Sequence, residues 1–327
     1  MKTIDMHVHM VGTASGGHGC WLRITPGKLP LYAFMLRHIG LPLNSLRSPD
    51  FDNLFVNNLL GHIRSSTLDA VVLLAQEQVY DDDGHLLKGW GNTYVPNDYV
   101  LELAREHTEI LPAVSIHPGR PNALEELDYC LAAGTVMMKC LPNCQNINCN
   151  DSRYTKFWER MAEAGLPLLA HTGGEHTLQV VRPEYADPRS LTLPLECGVT
   201  VIAAHAASRS GLYDPDYLPA LVKMFEEFPN LYADISALNL PFRSYALREC
   251  LKPEMTERMV HGSDYPVPVH ALWAQMRGLL HRPEARHWAK CPNPIERDYQ
   301  LKLATGFPKE TFTRINRLLR LSQPAIV

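Results

Sequence analysis

Short apolar runs and longer amphipathic stretches take turns along this chain. The runs are Thr3–His9, Leu68–Ala75, Ile110–Ile116, Thr135–Leu141, Leu166–Ala170, Thr200–Ala204, Leu231–Ile235 and Arg258–Val260. They are β-branched or aliphatic and end in Gly, Pro or polar residues, which reads as buried strands. Between them, Asn53–Ser65, Asp98–His107, Pro121–Ala133, Arg153–Ala164, Pro215–Phe228, Phe242–Leu251 and Lys309–Leu321 carry apolar residues at three- and four-residue spacing. That spacing places one apolar stripe on a helix. Eight strands with helical stretches between most of them predict a parallel α/β fold closed into a (β/α)8 TIM barrel. No Pro/Ser/Gly-rich linker or charge run divides the chain, so residues 1–327 are read as a single domain.

One connection departs from the pattern. The segment from 10 to 50, after the first strand, is far longer than an ordinary βα loop. It holds Gly12, Gly16, Gly17 and Gly19, then Trp21, Pro26, Pro30 and Tyr32. It is expected at the rim of the barrel, either as a lid that excludes water from a site there or as a structural excursion or oligomer contact. A second excursion, Gln76 to Asn97, is rich in Asp and Gly and is expected on the same rim.

Composition narrows the function classes. The formal charge of −4 offers no electrostatic reason to expect nucleic acid or an anionic membrane. No apolar run approaches the roughly 18 residues of a bilayer span, and no signal segment precedes the first strand, so a cytoplasmic protein is expected. Eight cysteines in a chain of 327 residues read as reduced thiols. Cys140, Cys144 and Cys149 lack the paired spacing of a structural zinc site, which favours packing. A small-molecule substrate and a homo-oligomer are the expected partners.

The chemistry gathers at strand ends. In an extended strand, side chains two apart share a face, so His7 and His9, with Asp5 behind them, present two imidazoles to one side. Two neutral imidazoles are half of a transition-metal site. Other strands end on His117, Lys139, His171, His205, Asp234 and, just beyond the eighth, Asp264. A barrel builds its active site at these carboxyl ends.

Asp5-Met-His7-Val-His9, Lys139 in Met-Met-Lys-Cys-Leu-Pro, His171-Thr-Gly-Gly, His205 and Gly-Ser-Asp264-Tyr-Pro, in this order, resemble the amidohydrolase superfamily, and most closely its amidohydrolase-2 branch of metal-dependent hydrolases and decarboxylases. The resemblance implies that His7, His9, His171 and Asp264 ligate a divalent metal, zinc or else manganese. It implies one firm metal and leaves room for a second, held by His171, His205 and a carboxylated Lys139. In the other version Lys139 stays charged, binding a substrate carboxylate or pairing with Glu175 or Asp264. His205 is a ligand in one version and a catalytic base or electrophile in the other. Asp264 would shuttle a proton to the leaving group.

The implied activity is hydrolysis of an amide, lactone or other ester by metal-bound hydroxide. The alternative is non-oxidative decarboxylation of an unsaturated or aromatic carboxylic acid, and Lys139 tilts the balance towards hydrolysis. Glu175, His117 and Arg243 are expected to contact substrate. Arg209, Trp21 and His176 lie in segments that could reach the rim. Asp5 and Asp234 are expected either to orient the ligating imidazoles or to satisfy loop amides.

Overall fold

A computed structural model describes residues 1–321. Eight parallel strands pair in chain order: β1 Ile4–His9, β2 Ala70–Leu74, β3 Ile110–Val114, β4 Met137–Cys140, β5 Leu168–Ala170, β6 Val201–Ala203, β7 Leu231–Asp234 and β8 Met259–Val260. The chain beyond β8 closes the ring on β1. Met6 N donates to His261 O (3.1 Å), Asp264 N to His7 O (2.8 Å) and His9 N to Tyr265 O (2.8 Å). The eight expected apolar runs all become strands, trimmed by one or two residues at one or both ends.

The helices cover the ring. One follows each strand: α1 Phe51–Arg64, α2 Asn97–Glu106, α3 Ala123–Ala132, α4 Thr155–Glu163, α5 Thr192–Glu196, α6 Leu218–Glu227, α7 Ala246–Cys250 and α8 Pro294–Ala304. Periodicity does not find α5, whose five residues are too short to show a stripe, or α8. Two apolar layers result. Ile4, Met6, Val72, Leu74, Met137, Leu169, Ile202 and Val260 fill the lumen, and Ile315 and Leu319 close its lower end. Val71, Leu73, Val114, Met138, Leu168, Val201 and Met259 face the helices. Strands buried on both faces explain why the runs are continuous rather than alternating. The expected last helix shortens to Lys309–Thr313, and a 3-10 turn at Arg314–Arg317 delivers Ile315 to the lumen.

β1 is irregular where it matters. Its register against β2 gains one residue between Asp5 and Val8, which is a β-bulge. Ile4 and Met6 therefore point to the lumen while Val8 packs outside. The expectation that Asp5 shares a face with His7 and His9 is corrected by this bulge, since the alternation reverses between them. Gly262 is required opposite: a Cβ there would lie 2.6 Å from the Cβ of His7.

The long connection from 10 to 50 is partly ordered structure. It contains a helix at Leu29–His38, and Trp21–Leu22 pairs antiparallel with Thr93–Tyr94 of the second excursion. The two excursions after β1 and β2 are thus sewn together above the barrel mouth. Among the described residues, no helix is long and apolar enough to cross a membrane.

Candidate metal centre

Strand alternation aims the first groups. Met137 and Leu169 face the lumen, so Lys139 and His171, two residues on, do too. Asp234 ends β7 fully buried. His205 and Asp264 are aimed by backbone instead: His205, Ala206 and Ala207 have φ of 58°, 48° and 52°, and Asp264 has φ 68°. Such left-handed residues are uncommon outside glycine and cluster at functional sites. The loop after β5 needs Gly173 (φ 78°), since a Cβ would lie 2.2 Å from Ser208 O.

Asp234 is the anchor. Its Oδ2 lies 2.6 Å from His7 Nδ1, while Oδ1 accepts from His205 N (2.7 Å), Ser236 N (3.0 Å) and Ser236 Oγ (2.5 Å). Burial opposes its charge, but His7, His205 and Ser236 outweigh that and hold its pKa far below the usual carboxylate range. An ionised carboxylate only accepts, so the proton of His7 sits on Nδ1 and its Nε2 carries a lone pair. Burial, with Lys139 adding to it, pushes the His7 pKa down to about 4. Ser236 gives its one proton to Asp234, so His205 Nδ1, 2.7 Å from Ser236 Oγ, is a donor and its Nε2 is also unprotonated. Sequence reasoning did not single out Ser236; a hydroxyl two residues after a strand-end Asp was the available signal.

In front of His7, acceptors converge. His7 Nε2 lies 3.2 Å from His9 Nε2 and 3.2 Å from Asp264 Oδ1, and His9 Nε2 lies 3.1 Å from the same oxygen. Ligands at about 2.0–2.2 Å from one ion stand this far apart. Burial opposes charge on Asp264, yet His7, His9 and Lys139 keep its pKa well below the usual range. His171 Nε2, buried and without a hydrogen-bond partner, faces Glu175 Oε2 at 3.7 Å. His171 stands outside the tight trio of His7, His9 and Asp264. Two imidazole nitrogens and a carboxylate oxygen on one point, with an orphaned imidazole beside them, fit a divalent metal cation. A second grouping, His7, His205 and Asp234, lies on the Nδ1 side of His7, where hydrogen bonds already fill it.

Lys139 is fully buried, and its Nζ lies 3.3 Å from His7 Nε2. Desolvation lowers its pKa, although Asp264 and Asp234 pull the other way. Among the described residues it forms no ion pair with Glu175 or Asp264. Asp5 serves the backbone: its Oδ1 accepts from His7 N (3.1 Å) and Ser263 N (2.8 Å), tying β1 to the turn that carries Asp264. Behind that turn, Lys302 donates to Gly262 O (2.7 Å) and pairs with Asp298, both fully buried.

The remaining expectations divide. Glu175 lines the cavity over the site, with Oε1 accepting from Thr177 N (2.5 Å) and Leu178 N (2.8 Å). Arg243 does not line it: its guanidinium donates to Ser208 O (2.7 Å) and Gly174 O (2.6 Å), locking the loops after β5 and β6 together. His117 is also placed away from the cavity, fully buried against Tyr80, with Nδ1 accepting from Gly119 N (3.1 Å). In both, the side chain is engaged within the protein: the arginine donates to loop carbonyls, and the turn at Gly119 folds over the imidazole. Arg209 stacks on Tyr245 and Trp21 under Arg23, and His176 pairs with Asp214 (2.9 Å). All eight cysteines are free.

The model of the family described as amidohydrolase matches residues 84–297, which include Lys139, His171, His205 and Asp264 but not His7 or His9. No curated protein matches. Three solved structures are similar. An uncharacterised TIM-barrel protein of Bordetella bronchiseptica is 15% identical, covering 94% of this chain and 100% of its own (TM-score 0.59). A probable 2-pyrone-4,6-dicarboxylic acid hydrolase of Acinetobacter baumannii, with citric acid bound, is 14% identical over 96% and 100% (TM-score 0.54). The IDCase of Metarhizium anisopliae, in apo form, is 13% identical over 97% of each chain (TM-score 0.50). At these identities the likeness carries the fold.

Two outcomes are expected. Asp234→Asn should weaken retention of the divalent metal about 10- to 100-fold in chelator competition, as loss of an orienting carboxylate does elsewhere; unchanged retention would remove Asp234 from its anchoring role. Burial lowers the pKa of His117 from 6.5 to about 4. The unfolded chain therefore takes up a proton that the folded chain refuses, and stability falls as pH drops from about 6.5 to about 4 while staying unaffected above. Urea midpoints should fall less in His117→Gln than in the native protein between about pH 7 and about pH 5. Equal falls would contradict the burial argument.

Proposed function

Because this chain belongs to the amidohydrolase-2 family, we propose that it is a metal-dependent hydrolase that cleaves an amide, lactone or other ester bond of a small molecule. The observation that carries this reading is the convergence of His7 Nε2, His9 Nε2 and Asp264 Oδ1 within 3.1–3.2 Å of one another, with His9 and Asp264 lining the cavity. His7, His9 and Asp264 would hold the ion, zinc or manganese, with His171 closing on it. When bound, such a cation polarises a carbonyl and lowers the pKa of water from about 16 to about 7.

The chain's own groups supply the rest. Asp264 is ionised, lines the cavity and keeps a second carboxylate oxygen, so it can take a proton from the attacking water and pass it to the leaving group. His205 lines the same cavity with Nε2 unprotonated and Nδ1–H tied to Ser236, which suits it to accept a proton or act as a ligand. Tyr32, Met35 and Leu22, from the connection after β1, wall the cavity. Lys139, with Nζ 3.3 Å from His7 Nε2, is the group whose state would distinguish one ion from two.

Ester, lactone and amide hydrolysis assayed beside carbon dioxide release from carboxylic acids tests the activity. Asp264→Asn should lower kcat by about 100-fold or more, in the range of a lost acid/base group, with a smaller loss of folding stability. Carbon dioxide release without hydrolysis would replace this reading with a decarboxylase. Metal content near one ion per chain, unchanged in Lys139→Ala, is expected; a content near two that halves in Lys139→Ala would establish a carboxylated lysine bridging a pair.

A further inference from the structure

Resting on the hydrolase reading, we propose that Gln76 and Tyr32 set the specificity of this site by binding a neutral hydroxyl or amide N–H group that the substrate carries next to its scissile carbonyl. Leu74 faces the lumen and is paired with His9, so Gln76, two residues further, points the same way beside that imidazole. Its backbone is held on both sides, N donating to Val95 O (3.1 Å) and O accepting from Val95 N (2.9 Å). Tyr32 comes from the helix Leu29–His38, three residues before Met35, and both reach the same cavity. Three-residue spacing puts them on one helix face.

Both side chains are buried with their hydrogen-bonding capacity unspent. Gln76 is 6% exposed and Tyr32 8%. Among the described residues, neither the Gln76 carboxamide nor the Tyr32 hydroxyl has a hydrogen-bond partner, and both residues line the cavity. The other polar groups there are engaged. His9, Asp264 and His171 would serve the ion, His205 Nδ1 is tied to Ser236 Oγ (2.7 Å), and Glu175 Oε1 takes the Thr177 and Leu178 amides. Thr93 and Thr177 also line the cavity but are more open to solvent.

A carboxamide offers both donor and acceptor, and so does a phenol hydroxyl. The matching partner has the same double character, which a hydroxyl or an amide group supplies and a methylene does not. Polar groups left unpaired in a buried site carry the cost of their desolvation, so a site built around them discriminates strongly against a substrate that lacks the partner group. Because Gln76 stands beside His9, the group it holds lies next to the carbonyl at the ion. Met10, Met35, Leu141 and Val267 supply apolar wall around it and no competing side-chain hydrogen bond. Gln76 and the Tyr32 hydroxyl act as neutral groups, so this recognition adds to the attraction of the ion rather than opposing it.

The test compares hydrolysis of γ-butyrolactone and α-hydroxy-γ-butyrolactone by the full chain as purified with its metal. The hydroxylated ring should be preferred about tenfold or more in kcat/KM, the scale of one buried hydrogen bond. Its hydroxyl also changes intrinsic reactivity and can reach the ion, so the deciding quantity is how the preference changes between proteins. Tyr32→Phe removes one oxygen and keeps the ring, and Gln76→Met keeps the length and loses the amide. Each should cut the preference by about fivefold or more. Binding is read separately by ligand-detected NMR, where 2-pyrrolidone, with its N–H, should bind about tenfold more tightly than cyclopentanone, and both variants should narrow that gap.

If the lactones are hydrolysed but the preference and the binding gap are the same in the native protein and both variants, the proposal is overturned and the hydrolase reading stands. If nothing is hydrolysed, yet 2-pyrrolidone binds more tightly and loses that advantage in both variants, the hydrolase reading fails and the recognition by Gln76 and Tyr32 stands. Neither hydrolysis nor binding of any of these rings overturns both.

Discussion

A single buried charge organises this molecule. Asp234 is fully enclosed, and it is satisfied by one imidazole, two backbone amides and one hydroxyl. A lone carboxylate in such a place is prohibitively costly, so its four donors are fixed as firmly as it is. Through them it sets which nitrogen of His7 and of His205 keeps a lone pair. A neutral amide at this position would keep the shape and lose that instruction, since Asn both donates and accepts.

The second constraint is closure of the barrel between its last and first strands. β8 is two residues long, and the extended chain after it does the pairing. That arrangement brings Asp264 beside His7 and His9 across a span of more than 250 residues. Three devices hold it: the bulge in β1, the Asp5 carboxylate that bonds both edges, and Gly262, which lets the backbone pass within reach of His7. The Lys302–Asp298 pair braces the same turn from outside. Structure that is costly elsewhere, left-handed φ at His205 and Asp264, concentrates on the functional rim.

Much of this was legible along the chain. Continuous apolar runs mark strands covered on both faces, and alternation puts Lys139 on the face of Met137 and His171 on that of Leu169, which packing then shows to be the lumen. The rest was not, for identifiable reasons. Asp5 was assigned to the imidazole face because a two-residue rule has no knowledge of a bulge. Arg243 and His117 read as ligand contacts because both fall near strand ends or rim loops. Which donors an arginine spends on neighbouring carbonyls, and whether a turn closes over an imidazole, are facts about loops far apart in sequence.

By itself, then, the sequence determined the barrel, the strand order and the set of residue types available at its rim, because hydrophobic periodicity is a local property and eight strand-helix repeats admit few closures. Tertiary structure alone decided the rest. It chose which of those groups converge on one point, which nitrogens carry protons, and which cations remain free for a ligand. Convergence depends on the bulge and on closure, protonation on Asp234, and free charge on loop packing. Each is a distance between residues remote in the chain, and no local pattern encodes it.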